Sequence, residues 1–322
     1  MPKRRSRKRS YNVKIGKRGS RHKRINKSRL LILLSFVLFI SAGIILVRYL
    51  IMTHNTRELQ RSLREEFPDT EITKTAAVAE AVATVSPSLP EVSFAPIQDD
   101  SFVPAAAPTQ EPAMRDEFVS LFSKNHDIIG WLKLESVKEI DFPVTQRDNS
   151  FYVDHDFYGR KSASGTAFLD ASCSVLPKAE NMIIHAHNMK NGTMFGKLYY
   201  LLDENVIINS PLASFKTLYD DGVYVPYAVS EVSIDPENDR YVPLIKAEFK
   251  SLQERNKYIE NLREFSVFEL PTDILSQDEL LTLITCHGKE KSERLVVGYR
   301  KLRENETSYE VEESIKNNII KR

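Results

Sequence analysis

The sequence predicts a mostly-β domain, an antiparallel or mixed barrel with a few short helices, carried behind one transmembrane helix and a stalk. From residue 128 onward, short strand-like runs separated by turn residues recur without the alternating strand and helix rhythm of a parallel sheet. Ahead of them lies an uncharged stretch of membrane length. Between the two is a proline-rich segment whose composition predicts an extended spacer and not a core.

Residues 1–29 contain fourteen Lys or Arg and no Asp or Glu, so the net charge of +1 conceals a basic head and a remainder with 31 basic against 44 acidic residues. Residues 30–47 follow without a charge. As a helix this run spans roughly 27 Å, close to the hydrocarbon thickness of a bilayer. Arg48 and Tyr49 suit an interface, and residues 50–52 extend the apolar run. No small-x-small cleavage site follows, which favours an uncleaved anchor over 30–52. The basic excess before the span predicts a cytoplasmic tail at 1–29 and everything after Met52 outside the cell membrane. With a span directly behind it, the basic head is an address and not a nucleic-acid-binding arm.

Leu59, Leu63 and Phe67 recur at four-residue spacing, so the anchor helix is expected to continue briefly beyond the span. Seven prolines then stand between Pro68 and Pro112 among Ala, Thr, Ser and Val. Residues 53–112 are therefore expected to form a stalk that holds the next domain away from the bilayer.

The folded domain is expected over 113–304. Residues 114–124 suit a helix with Phe118, Leu121 and Phe122 on one face. Strands are expected over 128–134, 142–144, 167–169, 182–186, 215–219, 223–234, 280–285 and 294–302. Asp220-Asp221-Gly222 marks a hairpin, a charged helix fits within 247–265, and the polar tail 305–322 is expected to be loosely ordered. Two cysteines, Cys173 and Cys286, do not make a disulfide framework.

The chemistry-bearing residues stand where strands meet loops. Thr282-Leu283-Ile284-Thr285-Cys286 ends an apolar strand with a thiol, and Arg294 opens the next strand before Leu295-Val296-Val297. Ile183-Ile184-His185-Ala186-His187-Asn188-Met189 ends another strand with histidine, followed by Gly192-Thr193-Met194-Phe195. Strand ends are rigid supports from which reactive side chains converge on one cleft. Taken singly, each has an ordinary reading. A Cys in an apolar strand is usually a buried small hydrophobe, and a lone Arg a solvated charge.

These residues resemble the class B sortases, which show a TLxTC strand, an Arg two residues before a Val-Val pair, and an HNM…GTMF segment. Further blocks look similar and come in the same order: Asp127-Ile128-Ile129-Gly130-Trp131-Leu132, Ile140-Asp141-Phe142-Pro143-Val144-Thr145-Gln146, Asp156-Phe157-Tyr158-Gly159 and Gly165-Thr166-Ala167-Phe168-Leu169-Asp170. The resemblance implies an eight-stranded sortase-type β-barrel and a cysteine transpeptidase without a cofactor or metal. Its catalytic residues would be Cys286 as nucleophile, His187 as general acid/base and Arg294 as oxyanion or substrate-positioning partner. Thr285 and Asn188 would contact substrate. The implied partners are surface proteins bearing a C-terminal sorting signal, a cell-wall precursor amine or a pilin as acceptor, and the membrane.

Where the family usually has Tyr-Gly before its histidine, this chain has His185-Ala186. Residues two apart on a strand share a face, so alternation cannot separate His185 from His187. Only the match to the HNM segment selects His187, with His185 as a supporting residue. Cys173 reads as a packed or surface thiol, His287 as a loop residue and Trp131 as core. Three other readings remain. One is a metal site built on Cys173, His185, His187, Cys286 and His287, which lacks a paired-Cys pattern. Another is a catalytically silent barrel that acts as a cell-surface binding module. A papain-like protease is the third, but its Cys would precede its His.

Overall fold

The computed structural model describes residues 27–67, 112–288 and 290–322. Most of the basic tail and most of the expected stalk lie outside the described residues. The chain divides into two compact units, residues 1–51 and 52–322.

Helix α1, Lys27–Glu66, is continuous. Within the first unit its apolar side chains, from Leu30 through Ile51, are exposed. By length and composition this is a helix able to cross a membrane.

The second unit is built on a closed eight-stranded barrel. Its strands are β1 (Ile128–Leu134), β2 (Asp141–Thr145), β3 (Phe168–Leu169), β4 (Asn181–His185), β5 (Ala213–Thr217), β6 (Asp221–Ser233), β8 (Leu280–Cys286) and β9 (Glu293–Lys301), around the barrel in the order β1-β2-β3-β4-β8-β9-β6-β5. Strand β7 (Phe268–Glu269) stands outside the barrel and pairs with β10 (Ile320–Lys321). Closure leaves the barrel no open edge. Pro226 lacks a backbone donor, and the β6–β9 register shifts beside it, between Pro226 and Ala228.

The helices are short and sit on the outside: α2 (Val119–Lys124), α3 (Glu204–Asn209), α4 (Leu252–Glu264) and α5 (Ser308–Asn318). Inside the barrel Leu132, Phe142, Ile184, Val229, Leu283 and Val297 belong to one buried cluster. A second cluster lies on the outer side of β1, where Ile128 and Trp131 meet Phe118, Leu121, Leu63 and Phe67. Trp131 is core, stacked on Phe67 with ring centroids 4.3 Å apart.

Two expectations need correction. Residues 305–322 are not loosely ordered: they form α5 and β10. Thr307 and Glu310 form a capping box, Ile315 is buried, and Glu306 binds the buried Arg300 at 2.6 and 2.7 Å. Of the stalk expected over 53–112, residues 53–66 are helical, as the Leu59, Leu63 and Phe67 spacing predicts, and they belong to the same compact unit as the barrel instead of acting as a spacer.

Candidate active site

Backbone register alone brings the three motifs together. Strands β4 and β8 run parallel with Asn181 opposite Leu280 and His185 opposite Ile284, so continuing the offset past the strand ends sets His187 level with Cys286. Strands β8 and β9 run antiparallel, with Cys286 directly opposite Arg294. Neighbouring strands lie about 4.8 Å apart. The thiol therefore stands between the histidine and the arginine on three adjacent strands.

Side chains lock this end of the barrel. Thr285 Oγ1 donates to the Ala186 carbonyl at 2.8 Å, and Asn188 Nδ2 donates to the Cys286 carbonyl at 2.8 Å. Each joins the exit of β4 to the exit of β8. His187 Nε2 lies 2.8 Å from the Val153 carbonyl oxygen. A carbonyl only accepts, so Nε2–H is the donor of this contact and Nδ1 takes no part in it. Arg294 Nη1 donates to the carbonyls of Lys291 at 2.6 Å and Glu293 at 2.9 Å. Among the described residues its Nε and Nη2 have no hydrogen-bond partner.

Cys286, His187 and Arg294 line one pocket of about 150 Å³, together with His185, Thr285, Tyr152, Val153 and Phe168. Cys286 is exposed and free. The profile of the Sortase domain family matches residues 132–301, more than half of the chain. The chain belongs to the sortase family. It is 29% identical to sortase B of Listeria monocytogenes over 191 residues, which is 59% of this chain and 75% of that protein. The crystal structure of Clostridium perfringens sortase B superposes with a TM-score of 0.52 at 30% identity, covering 57% of this chain and 98% of that one. A protein from Bacillus anthracis similar to sortase B superposes with a TM-score of 0.53 at 28% identity, covering 61% and 87%. These likenesses make it a class B sortase.

In this sortase the two histidines of the H-x-H line the same pocket but bind differently. His185 Nε2 lies 3.0 Å from Asp170 Oδ2, and its ring stacks on Phe168 at 5.2 Å. Burial alone would raise the Asp170 carboxyl. Hydrogen bonds from His185 and from the Ser172 side chain and backbone outweigh it and hold Asp170 well below the usual carboxylate range. His287 turns to Glu231, with Nε2 2.6 Å from Oε1. Among the described residues no three His, Cys, Asp or Glu side chains are grouped to hold a metal ion.

Cys173 is 5% exposed; its Sγ lies 3.4 Å from both the Asn181 carbonyl and the Ile183 amide. Burial pushes its thiol up to about 11, so it remains protonated at neutral pH. Thr285 lines the pocket with its hydroxyl committed to Ala186. Asn188 lines a neighbouring pocket of about 400 Å³ with His287 and Tyr199.

Two site features escaped the sequence reading. The Val153 carbonyl is a backbone atom 34 residues from the histidine it meets, and no residue pattern marks it. Asp170 lay within a recognised block, but its contact with His185 depends on the antiparallel pairing of Leu169 with Ile184.

Proposed function

We propose that this sortase cleaves a C-terminal sorting signal of secreted proteins at Cys286 and passes the acyl group to an amine of a cell-wall precursor or pilin. The single observation that supports the reading most is the placement of Cys286 opposite Arg294 and level with His187.

The steps follow from the groups. The Cys286 sulfur, having passed its proton to His187, attacks the scissile carbonyl and forms a C–S bond while the carbonyl π electrons move to oxygen. Donors of Arg294 stabilise that oxyanion. The C–N bond breaks as His187 delivers a proton to the leaving amine, leaving a thioester on Cys286. The incoming amine attacks the thioester, His187 accepts its proton, and the C–S bond breaks to restore the thiolate. Thr285 and Asn188 hold the strand ends against which the peptide would lie. Residues 30–52 anchor the enzyme, and the basic residues before them place the N-terminus in the cytoplasm and the barrel outside.

The test is intact-mass analysis after incubation with a library of sorting-signal peptides. The parent should gain one acyl mass, Cys286→Ala none, and Cys173→Ala the same as the parent. The adduct should also form when an impermeant peptide is added outside intact protoplasts. An adduct that persists in Cys286→Ala would sink the assignment, and one that forms only after lysis would reverse the orientation.

A further inference from the structure

The segment of α1 from Thr53 onward touches the enzyme through one face. Thr53, Thr56, Gln60, Leu63 and Phe67 recur at spacings of three and four, the repeat of one helical stripe. The stripe has two halves of different chemistry. At its far end Leu63 and Phe67 are buried in the cluster around Trp131, and Arg64 Nε pairs with Asp141 Oδ2 at 3.0 Å. Apolar burial of that kind supplies affinity without direction. At its near end the contacts are hydrogen bonds, and each reaches a segment that holds His187.

The first segment follows His187 in the chain. Asn191 Nδ2 donates to Thr53 Oγ1 at 3.1 Å, and Arg57 Nη2 donates to the Asn191 carbonyl at 2.9 Å. Asn191 Oδ1 in turn accepts from the Thr193 amide and hydroxyl, and the Phe195 amide donates to the His187 carbonyl at 3.0 Å. The second segment receives the imidazole itself. Thr56 Oγ1 lies 3.0 Å from Ser164 Oγ, with both residues buried. Gly165, at φ +58°, sits so close to the Tyr152 and Val153 carbonyls that a Cβ there would meet them at 2.5 and 2.6 Å. The Thr166 amide donates to the Tyr152 carbonyl at 2.9 Å. The next carbonyl, Val153, fixes His187 Nε2.

We infer that residues 53–67, the end of α1 and the residue after it, are a positioning element for His187, acting through Asn191 on one side and through Ser164 and Val153 on the other. The inference rests on the reading of His187 as the acid/base partner of Cys286. The apolar end of the stripe docks the helix, and the polar end sets the angle of the imidazole. None of Thr53, Thr56 or Arg57 touches the pocket that holds Cys286.

The full chain in detergent micelles tests this, with iodoacetamide as the probe of Cys286 and peptide mapping to separate it from Cys173. The alkylation rate is measured from pH 5 to 9 for the parent, His187→Ala, Arg57→Ala, Arg57→Lys, Asn191→Ala and Thr53→Val, with Arg61→Ala as control. Arg61 is exposed, and among the described residues it forms an ion pair with the exposed Glu65 alone. His187→Ala should change the pH profile. Arg57→Ala, Asn191→Ala and Thr53→Val should shift it in the same direction, by about two- to tenfold in rate at neutral pH for each hydrogen bond lost. Arg57→Lys should recover part of that loss, and Arg61→Ala should match the parent. If His187→Ala alters the profile while all three helix and loop variants keep the parent's profile, the positioning role is overturned, whatever happens to the melting temperature. If His187→Ala itself keeps the parent's profile, the reading of the site fails first and the positioning role falls with it. Should Asn191→Ala fail to fold, the exposed Arg57 variants decide alone.

Discussion

Arg294 differs from an ordinary surface arginine in what its donors do. Nη1 is spent on the backbone carbonyls of Lys291 and Glu293, which fixes the guanidinium plane, while Nε and Nη2 have no hydrogen-bond partner among the described residues and Arg294 lines the pocket. A planar fork can hold the loop and a substrate oxygen at once, whereas an ammonium on a flexible stem cannot. Arg294→Lys and Arg294→Ala are therefore both expected to lose about a hundred- to a thousandfold in turnover, the cost of removing one oxyanion donor. Rates of cleavage of a sorting peptide, with a thermal melt as folding control, check this. Two folded variants that turn over at nearly the parent rate would leave the oxyanion to backbone donors alone. Cys286, His187 and Arg294 were legible in the sequence because each ends or opens an apolar strand within a recognisable block. Their mutual register was not, since it depends on which strands become neighbours in the barrel. The partners of His185 and His187 were hidden for the same reason: one is a side chain across a β-ladder, the other a backbone carbonyl in a distant loop.

The long strands β1, β6, β8 and β9 announce themselves by apolar runs bounded by turns, and the hairpin joining β5 to β6 by its Asp-Gly. Strand β3 falls within the expected 167–169, but the parallel pairings of β2 with β3 and β4 with β8 have no local signature. Helix α5 is the instructive miss. Its composition is polar, yet Thr307-Ser308-Tyr309-Glu310 is a capping-box pattern readable in the sequence. The helix is held at its start as well as along its buried face, because Glu306 makes two hydrogen bonds to Arg300, a guanidinium only 2% exposed. Thr307→Ala should cost about 1 kcal/mol as a lost N-cap. Glu306→Ala, which leaves a buried charge with fewer partners, should cost about 1.5–3 kcal/mol. Denaturant melts of the full chain would show Glu306→Ala as the more damaging change. If Thr307→Ala costs as much, the cap and not the ion pair secures this end of the fold.

At the scale of the whole molecule, ionisable groups make the fold stable over a bounded range of pH. Asp170 is held below its ordinary range despite burial, because His185 and Ser172 bond the anion. Asp278 is lowered in the same way, with Arg303 and the Leu275 amide outweighing burial. A carboxyl whose folded pKa is depressed binds fewer protons than the unfolded chain does. Its contribution is present above the unfolded value, near 3.9, and is lost as the pH falls through the folded value. Burial acts oppositely on acids that are neutral at pH 7: it pushes the Cys173 thiol up to about 11 and the Tyr224 and Tyr258 hydroxyls up to about 12. These groups stay protonated in the folded state after the unfolded chain has ionised, so their contribution fades above about pH 8.5–10. Melting temperature against pH should therefore show a plateau from about pH 5 to 8, falling on both sides. Asp170→Asn isolates the acid limb. It removes the bonded anion, so the variant should melt lower than the parent on the plateau. The two curves should then draw together as the pH falls below about 4, because the unfolded parent takes up a proton at Asp170 that the folded protein still excludes, and the advantage of the bonded anion shrinks. A gap that stays constant from pH 7 down to pH 2 would mean that Asp170 acts through packing alone, and that its charge contributes nothing to holding His185 and the barrel end around it.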